Sequence, residues 1–235
     1  MLWESHILMP PAGRVEFLLN GPGLGVPASI VTRKVDTGRD GENDPTRPLA
    51  QIVAALDSAE PRAKLAATSE PVIRETQTWL GNVKPSRERK LYFAERSQDP
   101  ANPKSPIVYS ITEEGREPVP FDPYSKSPDI TVQQGEVEDW IIENRTQELH
   151  AFHIHQTHFL LLEWNGVPLD EPYLRDTINV PYWDGKSKEY PSVKLRIDFR
   201  DPEIVGTFLY HCHILEHEDG GMMGSIRVQA TEAKP

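Results

Sequence analysis

One cysteine, Cys212, serves all 235 residues, so no disulfide can form within the chain. A lone thiol of this kind is buried, reactive or bound to a metal. No apolar run approaches the ~20 residues that a membrane helix needs. Met1-Leu2-Trp3-Glu4-Ser5-His6 has neither the basic start nor the apolar core of a signal peptide. Basic residues are in deficit: 25 Lys and Arg stand against 36 Asp and Glu, a formal charge of −11. Such a chain repels phosphate backbones and anionic lipid, which argues against nucleic acid and membrane surfaces as partners.

Helical periodicity is scarce as well. With 22 prolines and 15 glycines the chain is rich in turn formers, yet 37% of residues are hydrophobic, enough for a packed core. Short β-branched or alternating runs bounded by Pro, Gly and Asn predict an all-β sandwich or barrel. Predicted strands are Val15–Leu19, Ala28–Thr32, Leu49–Ala54, Lys90–Glu95, Ile107–Ile111 and Ile130–Val132. Further along come Val137–Glu143, His150–His155, Phe159–Trp164, Val193–Arg200, Thr207–Cys212 and Ser225–Val228. Val193–Arg200 alternates apolar and charged positions, so one face is buried and the other wet. Thr37 to Pro48 reads as a long loop, and Asp57 to Ser86 as a linker with a short helix around Ala59–Ala67. The resulting division is a strand-rich fragment over 1–56, a linker over 57–86, and a larger unit over 87–235. The fragment is too small to close a sandwich by itself.

Histidine is where the sequence departs from an ordinary β protein. Of eight, seven fall between His150 and His217. Six of these form two clusters, His150-Ala151-Phe152-His153-Ile154-His155 and His211-Cys212-His213-Ile214-Leu215-Glu216-His217. The second runs on into Glu218-Asp219-Gly220-Gly221-Met222. Side chains on a strand alternate between faces. Parity therefore sorts His150 with Cys212, and His153 and His155 with His211 and His213. His217 and Met222 lie beyond the strand and can fold back to either side. His150, Cys212, His217 and Met222 make up two imidazoles, a thiolate and a thioether, the donor set of a blue-copper electron-transfer centre. Structural zinc would take four strong donors and no thioether. The all-imidazole group suits copper ions that keep positions open for a small ligand. Cys212 is bonded directly to His211 and His213, so the two sets share one short stretch of backbone. Taken singly, a His-x-His, a buried cysteine or a Met beside Gly would mean little; the joint spacing is what carries weight.

Those motifs, His150-x-x-His153-x-His155 and His211-Cys212-His213-x-x-x-His217-x-x-x-x-Met222, resemble the C-terminal part of a multicopper oxidase of the laccase-like family. Asp176-Thr177-Ile178-Asn179-Val180-Pro181 is similar to the family pattern too. The likeness covers roughly Arg89 to Val228 and extends more weakly to Pro10–Phe17. It implies a cupredoxin-like Greek-key β-sandwich preceded by the C-terminal remnant of a second such domain. It also implies a type-1 copper on His150, Cys212, His217 and Met222, with His217 at an exposed edge where electrons enter. His153 would bind type-2 copper, and His155, His211 and His213 the type-3 pair. Glu218 would be the proton donor for reducing dioxygen, weighed evenly against a solvated loop residue.

The resemblance further implies one-electron oxidation of small reducing substrates, phenols foremost, coupled to reduction of O2 to water. Family members are mostly exported, to the periplasm or beyond the cell. One departure stands out. The family's trinuclear cluster takes eight histidines, and this sequence offers half, its others being His6 and His158. An N-terminal portion or a second chain would have to complete it. Otherwise the chain is a stand-alone blue-copper electron-transfer module. A cupin-like metalloenzyme using His153 and His155 lacks the expected nearby glutamate, and a copper nitrite reductase would not need both histidines flanking the cysteine. His158 has the wrong parity for the cluster, Asp176 is a candidate acceptor for a ligand imidazole, and Trp164-Asn165-Gly166 predicts a hairpin turn.

Overall fold

The computed structural model describes residues 5–19, 21–42, 44–54, 79–102 and 104–231. The described chain is almost wholly β and falls into two compact units. One contains Val15–Asp36 and the chain from Glu42 to Trp79; within it β1 (Ala28–Thr32) and β2 (Arg47–Ile52) pair antiparallel. Val15–Leu19, predicted as a strand, is irregular and largely exposed. A strand needs a partner for its backbone groups, and no ladder among the described residues includes it. The helix predicted around Ala59–Ala67 lies outside the described residues.

The second unit takes in the residues up to Arg14, Thr37–Gly41 and everything from Leu80 onward. Thus the stretch read as one long loop splits: its first part packs with this unit, and its end, Arg47 and Pro48, belongs to β2. The strands of this unit are β3 (Arg87–Ser97), β4 (Ile107–Glu113), β5 (Ile130–Gln133), β6 (Val137–Asn144), β7 (His150–Ile154) and β8 (Phe159–Trp164). They continue with β9 (Val167–Pro168), β10 (Thr177–Val180), β11 (Ser192–Asp198), β12 (Gly206–Cys212) and β13 (Met223–Gln229). Two sheets result, ordered β4-β3-β6-β11-β8-β9 and β10-β7-β12-β13-β5. Pairs β3/β6 and β13/β5 are parallel and the rest antiparallel. Apart from β3/β4, β8/β9 and β12/β13, consecutive strands of this unit lie in different sheets, as in a Greek-key sandwich.

Packing follows from the alternation. Val193, Leu195 and Ile197 of β11 are all fully buried while the residues between them stay half-exposed. They join Trp140, Phe152, Phe159, Phe199 and Tyr210 in one core between the sheets. On the same face of β6 as Trp140, Glu138 accepts a bidentate bond from Arg89 (2.9 and 3.0 Å) and another from Trp140 Nε1 (2.7 Å). A sharp turn joins β8 to β9 at Asn165 (φ 50°) and Gly166 (φ 76°), the positive-φ pair that a two-residue hairpin demands. β9 and β10 were missed in the sequence. β9 has only two residues, and β10 is buried on both faces and so shows no alternation. Cys212 and Met222 both belong to this core.

Candidate metal centre

β7 and β12 are neighbours, and their register sets the site. His211 pairs with His153, and Cys212 with Phe152. Residues directly opposite in a ladder share a face, so His153 and His211 lie together on one side. Cys212, Phe152 and, two residues back, His150 lie on the other. Beyond β12 the chain makes a single helical turn, α1 (Leu215–Asp219), which returns His217 to the Cys212 side. Three backbone bonds hold that turn against the strand: His217 N to Ile214 O, Met222 N to His217 O and Cys212 N to Met222 O.

On the inner side, Nδ1 of His150 and Nδ1 of His217 are 3.0 Å apart. The Cys212 sulfur lies 3.7 Å from the first and 3.5 Å from the second, and it accepts the Ala151 amide at 3.4 Å. All three residues are buried. Met222 is fully buried in the same core. Burial raises the thiol pKa, but hydrogen bonds and charge from His150 and His217 outweigh it and bring Cys212 down to about 6. Burial lowers His217, but bonds to Cys212 and Glu148 prevail and lift it to about 10. A thiolate that forms this readily, with two imidazoles aimed at one point, fits a soft transition-metal ion such as copper.

On the other face, ligand atoms of His153, His211 and His213 lie within 4.8 Å of one another. Nε2 of His155 is 3.1 Å from Nε2 of His211. Nδ1 of His153 meets the Asp176 carbonyl at 2.9 Å and the Thr177 hydroxyl at 2.8 Å, and Nδ1 of His211 meets the Cys212 carbonyl at 2.9 Å. Both rings therefore leave Nε2 free for the cluster. Burial, only partly offset by the Asp176 backbone, holds His153 at about 4, so the imidazole is neutral and ready to ligate. The Asp176 side chain does not bind His153; it accepts from Thr177 and from Arg14 instead. Glu218 lies 3.5 Å from Nδ1 of His211. His158 and His6 are exposed and stand apart from both groups.

Four residues near the inner group went unnoticed in the sequence. Phe93 packs against the His150 ring at 4.7 Å, and Tyr109 stacks on His217 at 4.7 Å with 19° between planes. Glu95 Oε1 is 3.1 Å from Nε2 of His150, and Glu148 Oε1 is 3.0 Å from Nε2 of His217. His217 is only 4% exposed, so its edge is covered by Glu148 and Tyr109 rather than open to solvent. No spacing pattern marks these contacts, because they come from the facing sheet and a loop.

A family profile described as multicopper oxidase matches residues 100–232. The chain belongs to the multicopper oxidase family. Over 106 residues it is 37% identical to the multicopper oxidase mco of Staphylococcus haemolyticus, covering 43% of this chain and 22% of that protein. Over 115 residues it is 29% identical to a laccase of Bacillus subtilis, covering 43% and 21%. The chain thus matches less than a quarter of the length of these relatives. Among solved structures, the Campylobacter jejuni multicopper oxidase, titled a metallo-oxidase, superposes with a TM-score of 0.61 at 26% identity. That match covers 88% of this chain and 41% of the other. McoA of Aquifex aeolicus, at 22% identity and a TM-score of 0.61, shares the fold. The sandwich is accordingly cupredoxin-like, and copper is the metal the family implies. No helix among the described residues is long and apolar enough to cross a membrane.

Proposed function

We propose that this chain is the C-terminal part of a laccase-like multicopper oxidase, carrying a whole type-1 copper site and half of a trinuclear one. His150, Cys212, His217 and Met222 hold the type-1 copper. His153 serves type-2 copper, and His155, His211 and His213 serve the type-3 pair. Residues 1–56 are the remnant of a preceding cupredoxin domain, 57–86 a linker and 87–235 the final domain. The observation that carries this reading is the meeting of the Cys212 sulfur with Nδ1 of His150 and His217, back to back with a four-imidazole face.

Bound copper would supply one-electron oxidation of small reducing donors, phenols foremost, coupled to reduction of dioxygen to water. The protein's part is to position and insulate. The buried Cys212 side chain leads through its own peptide bonds to His211 and His213, a continuous covalent route between the two groups. His153 and His211, both lowered mainly by burial, present lone pairs without first losing protons, and Nε2 of His155 lies 3.1 Å from Nε2 of His211. Glu218, beside His211, can hold a proton at the edge of the cluster. Four further histidines come from an N-terminal portion or a second chain, and the assembled enzyme works outside the cytoplasm, as family members mostly do.

The copper-loaded chain is expected to absorb strongly at about 600 nm, as a thiolate-bound type-1 copper does. Cys212→Ser should abolish the band, and a colourless copper-loaded chain would overturn the assignment. A second reading, a blue-copper module that passes electrons without reducing oxygen, draws support from the remaining histidines, His6 and His158, standing apart from the cluster. Copper counting with oxygen uptake separates the two. Addition of an N-terminal partner restores turnover only in the first.

A further inference from the structure

The two glutamates at the outer nitrogens of the inner imidazoles have no part in the reading above, yet their placement is specific. On β3, Phe93 and Glu95 are two residues apart and so share a face. Phe93 packs against the His150 ring, and Glu95 Oε1 reaches its Nε2 at 3.1 Å. The ladder partner of Glu95 on β4 is Tyr109, which stacks on His217. The facing sheet therefore lays Phe93, Glu95 and Tyr109 over the two imidazoles. Glu148 arrives from the loop before β7. That loop is tied down by Asn144 Nδ2 and Thr146 Oγ1, both donating to the Glu148 carbonyl, and by Leu149 N donating to Thr37 O. Its Oε1 meets Nε2 of His217 at 3.0 Å.

Among the described residues, Glu95 Oε1 is one of two buried side-chain oxygens or nitrogens that no hydrogen bond satisfies. Such an oxygen is costly to leave without a donor. Burial and the neighbouring Glu148 carboxylate push the Glu95 carboxyl up to about 8, so it holds a proton rather than a charge. Nε2 of His150 instead meets the Thr146 hydroxyl at 2.8 Å; that hydroxyl donates to Asn144 Oδ1 and the Glu148 carbonyl, so it accepts from the ring and Nε2 carries the hydrogen. Nδ1 is then the lone-pair nitrogen, and Nδ1 is the atom that faces Cys212. The Glu148 carboxylate at Nε2 of His217 sets the same tautomer there.

We infer that Glu148 is a positioning residue for the Cys212 site. Its carboxylate takes the outer N–H of His217, fixes that ring with Nδ1 toward the sulfur, and biases a bound one-electron metal toward its oxidised state. The inference rests on the type-1 reading above. An imidazole that donates its far N–H to a carboxylate is the stronger ligand, and loss of such a partner typically costs 10–100-fold in metal affinity. Negative charge this close favours the higher-valent ion more than the lower.

The test uses the full copper-loaded chain with Glu148→Gln, which removes charge but keeps shape. The variant is equilibrated with a one-electron redox dye while the band at about 600 nm is followed. In Glu148→Gln the reduction equilibrium constant should rise about tenfold, equivalent to ~59 mV for a one-electron couple. The exposed control Glu189→Gln should leave it unchanged. A variant that keeps the band and stays within about twofold of the unaltered chain would overturn the inference, by the same tenfold criterion. If Glu148→Gln fails to fold or to take up copper, Glu148→Met decides by the same measure. Absence of the band from the unaltered chain is a different result: it removes the type-1 reading, and this inference with it.

Discussion

His153 and His211 are direct partners across the β7/β12 ladder, their rings 5.2 Å apart. One residue further along, Phe152 pairs with Cys212 on the other face. Two adjacent residues of β12 thus serve two different pockets, and the arrangement depends on register alone. A slip by one residue would carry the imidazole into the core and the thiol out of it.

The outer pocket should be separable from the inner one. The Thr177 hydroxyl and the Asp176 carbonyl both hold Nδ1 of His153, so Thr177→Val removes one of two contacts that keep Nε2 turned to the cluster. Copper retention by the outer histidines should fall about 10–100-fold in competition with a chelator. The absorbance at about 600 nm should stay as it was, because the thiolate pocket is untouched. Equal loss from both pockets, or none from either, would contradict this division.

The legible parts of the molecule were those that repeat along the chain. Val193–Arg200 alternates, and β11 buries Val193, Leu195 and Ile197. His150 and Cys212 share a parity, and their side chains share the inner face. Val15–Leu19 looked no different from a strand, but strand formation depends on a partner that local pattern does not reveal. β10 went unread because it is buried on both faces. Glu95, Glu148, Phe93 and Tyr109 were illegible for a third reason. They reach the imidazoles from the facing sheet or, for Glu148, from a loop, with sequence separations of 55 to 108 residues, and no periodicity encodes such contacts.

Arg89 offers a test of the fold apart from the metal pockets. Its side chain is 6% exposed and lies against Glu138, which is 1% exposed, with a further bond to Glu113 at 2.6 Å. Arg89→Met leaves Glu138 with Trp140 Nε1 and a buried charge lacking its counter-ion. The expected loss is about 3–5 kcal/mol, read from urea unfolding of the metal-free chain. A loss below about 1 kcal/mol would mean that water or a rearranged side chain reaches Glu138, as at an exposed pair.

Stability of the metal-free chain should depend on pH in a bounded way. Cys212 is lowered to about 6, so its contribution is full above its ordinary thiol range and is lost as pH falls through about 6. His217 is raised to about 10, so its contribution is full below its ordinary imidazole range and is lost as pH rises through about 10. The buried thiolate–imidazolium pair therefore persists between those limits. Urea midpoints should be highest inside that window and decline on both sides. Cys212→Ser should flatten the profile at both ends, since one partner of the pair is gone. A parent profile as flat as that of the variant would show that the pair contributes nothing.

Gly220 is where the ring of Tyr109 passes closest to the turn that carries His217. A Cβ at Gly220 would overlap the Tyr109 ring, and the Tyr109 amide already bonds the Gly220 carbonyl at 3.4 Å. The backbone of Gly220 (φ −76°) suits any residue, so Gly220→Ala would act through that overlap and not through backbone strain. With no room for the methyl, either the ring leaves His217 or α1 shifts. Overpacking of this kind costs about 1–3 kcal/mol. Gly220→Ala should lower the melting temperature of the metal-free chain, and Gly220→Ala with Tyr109→Ala should recover most of the loss relative to Tyr109→Ala alone. Additive losses would show that Gly220 is required for something other than admitting the Tyr109 ring.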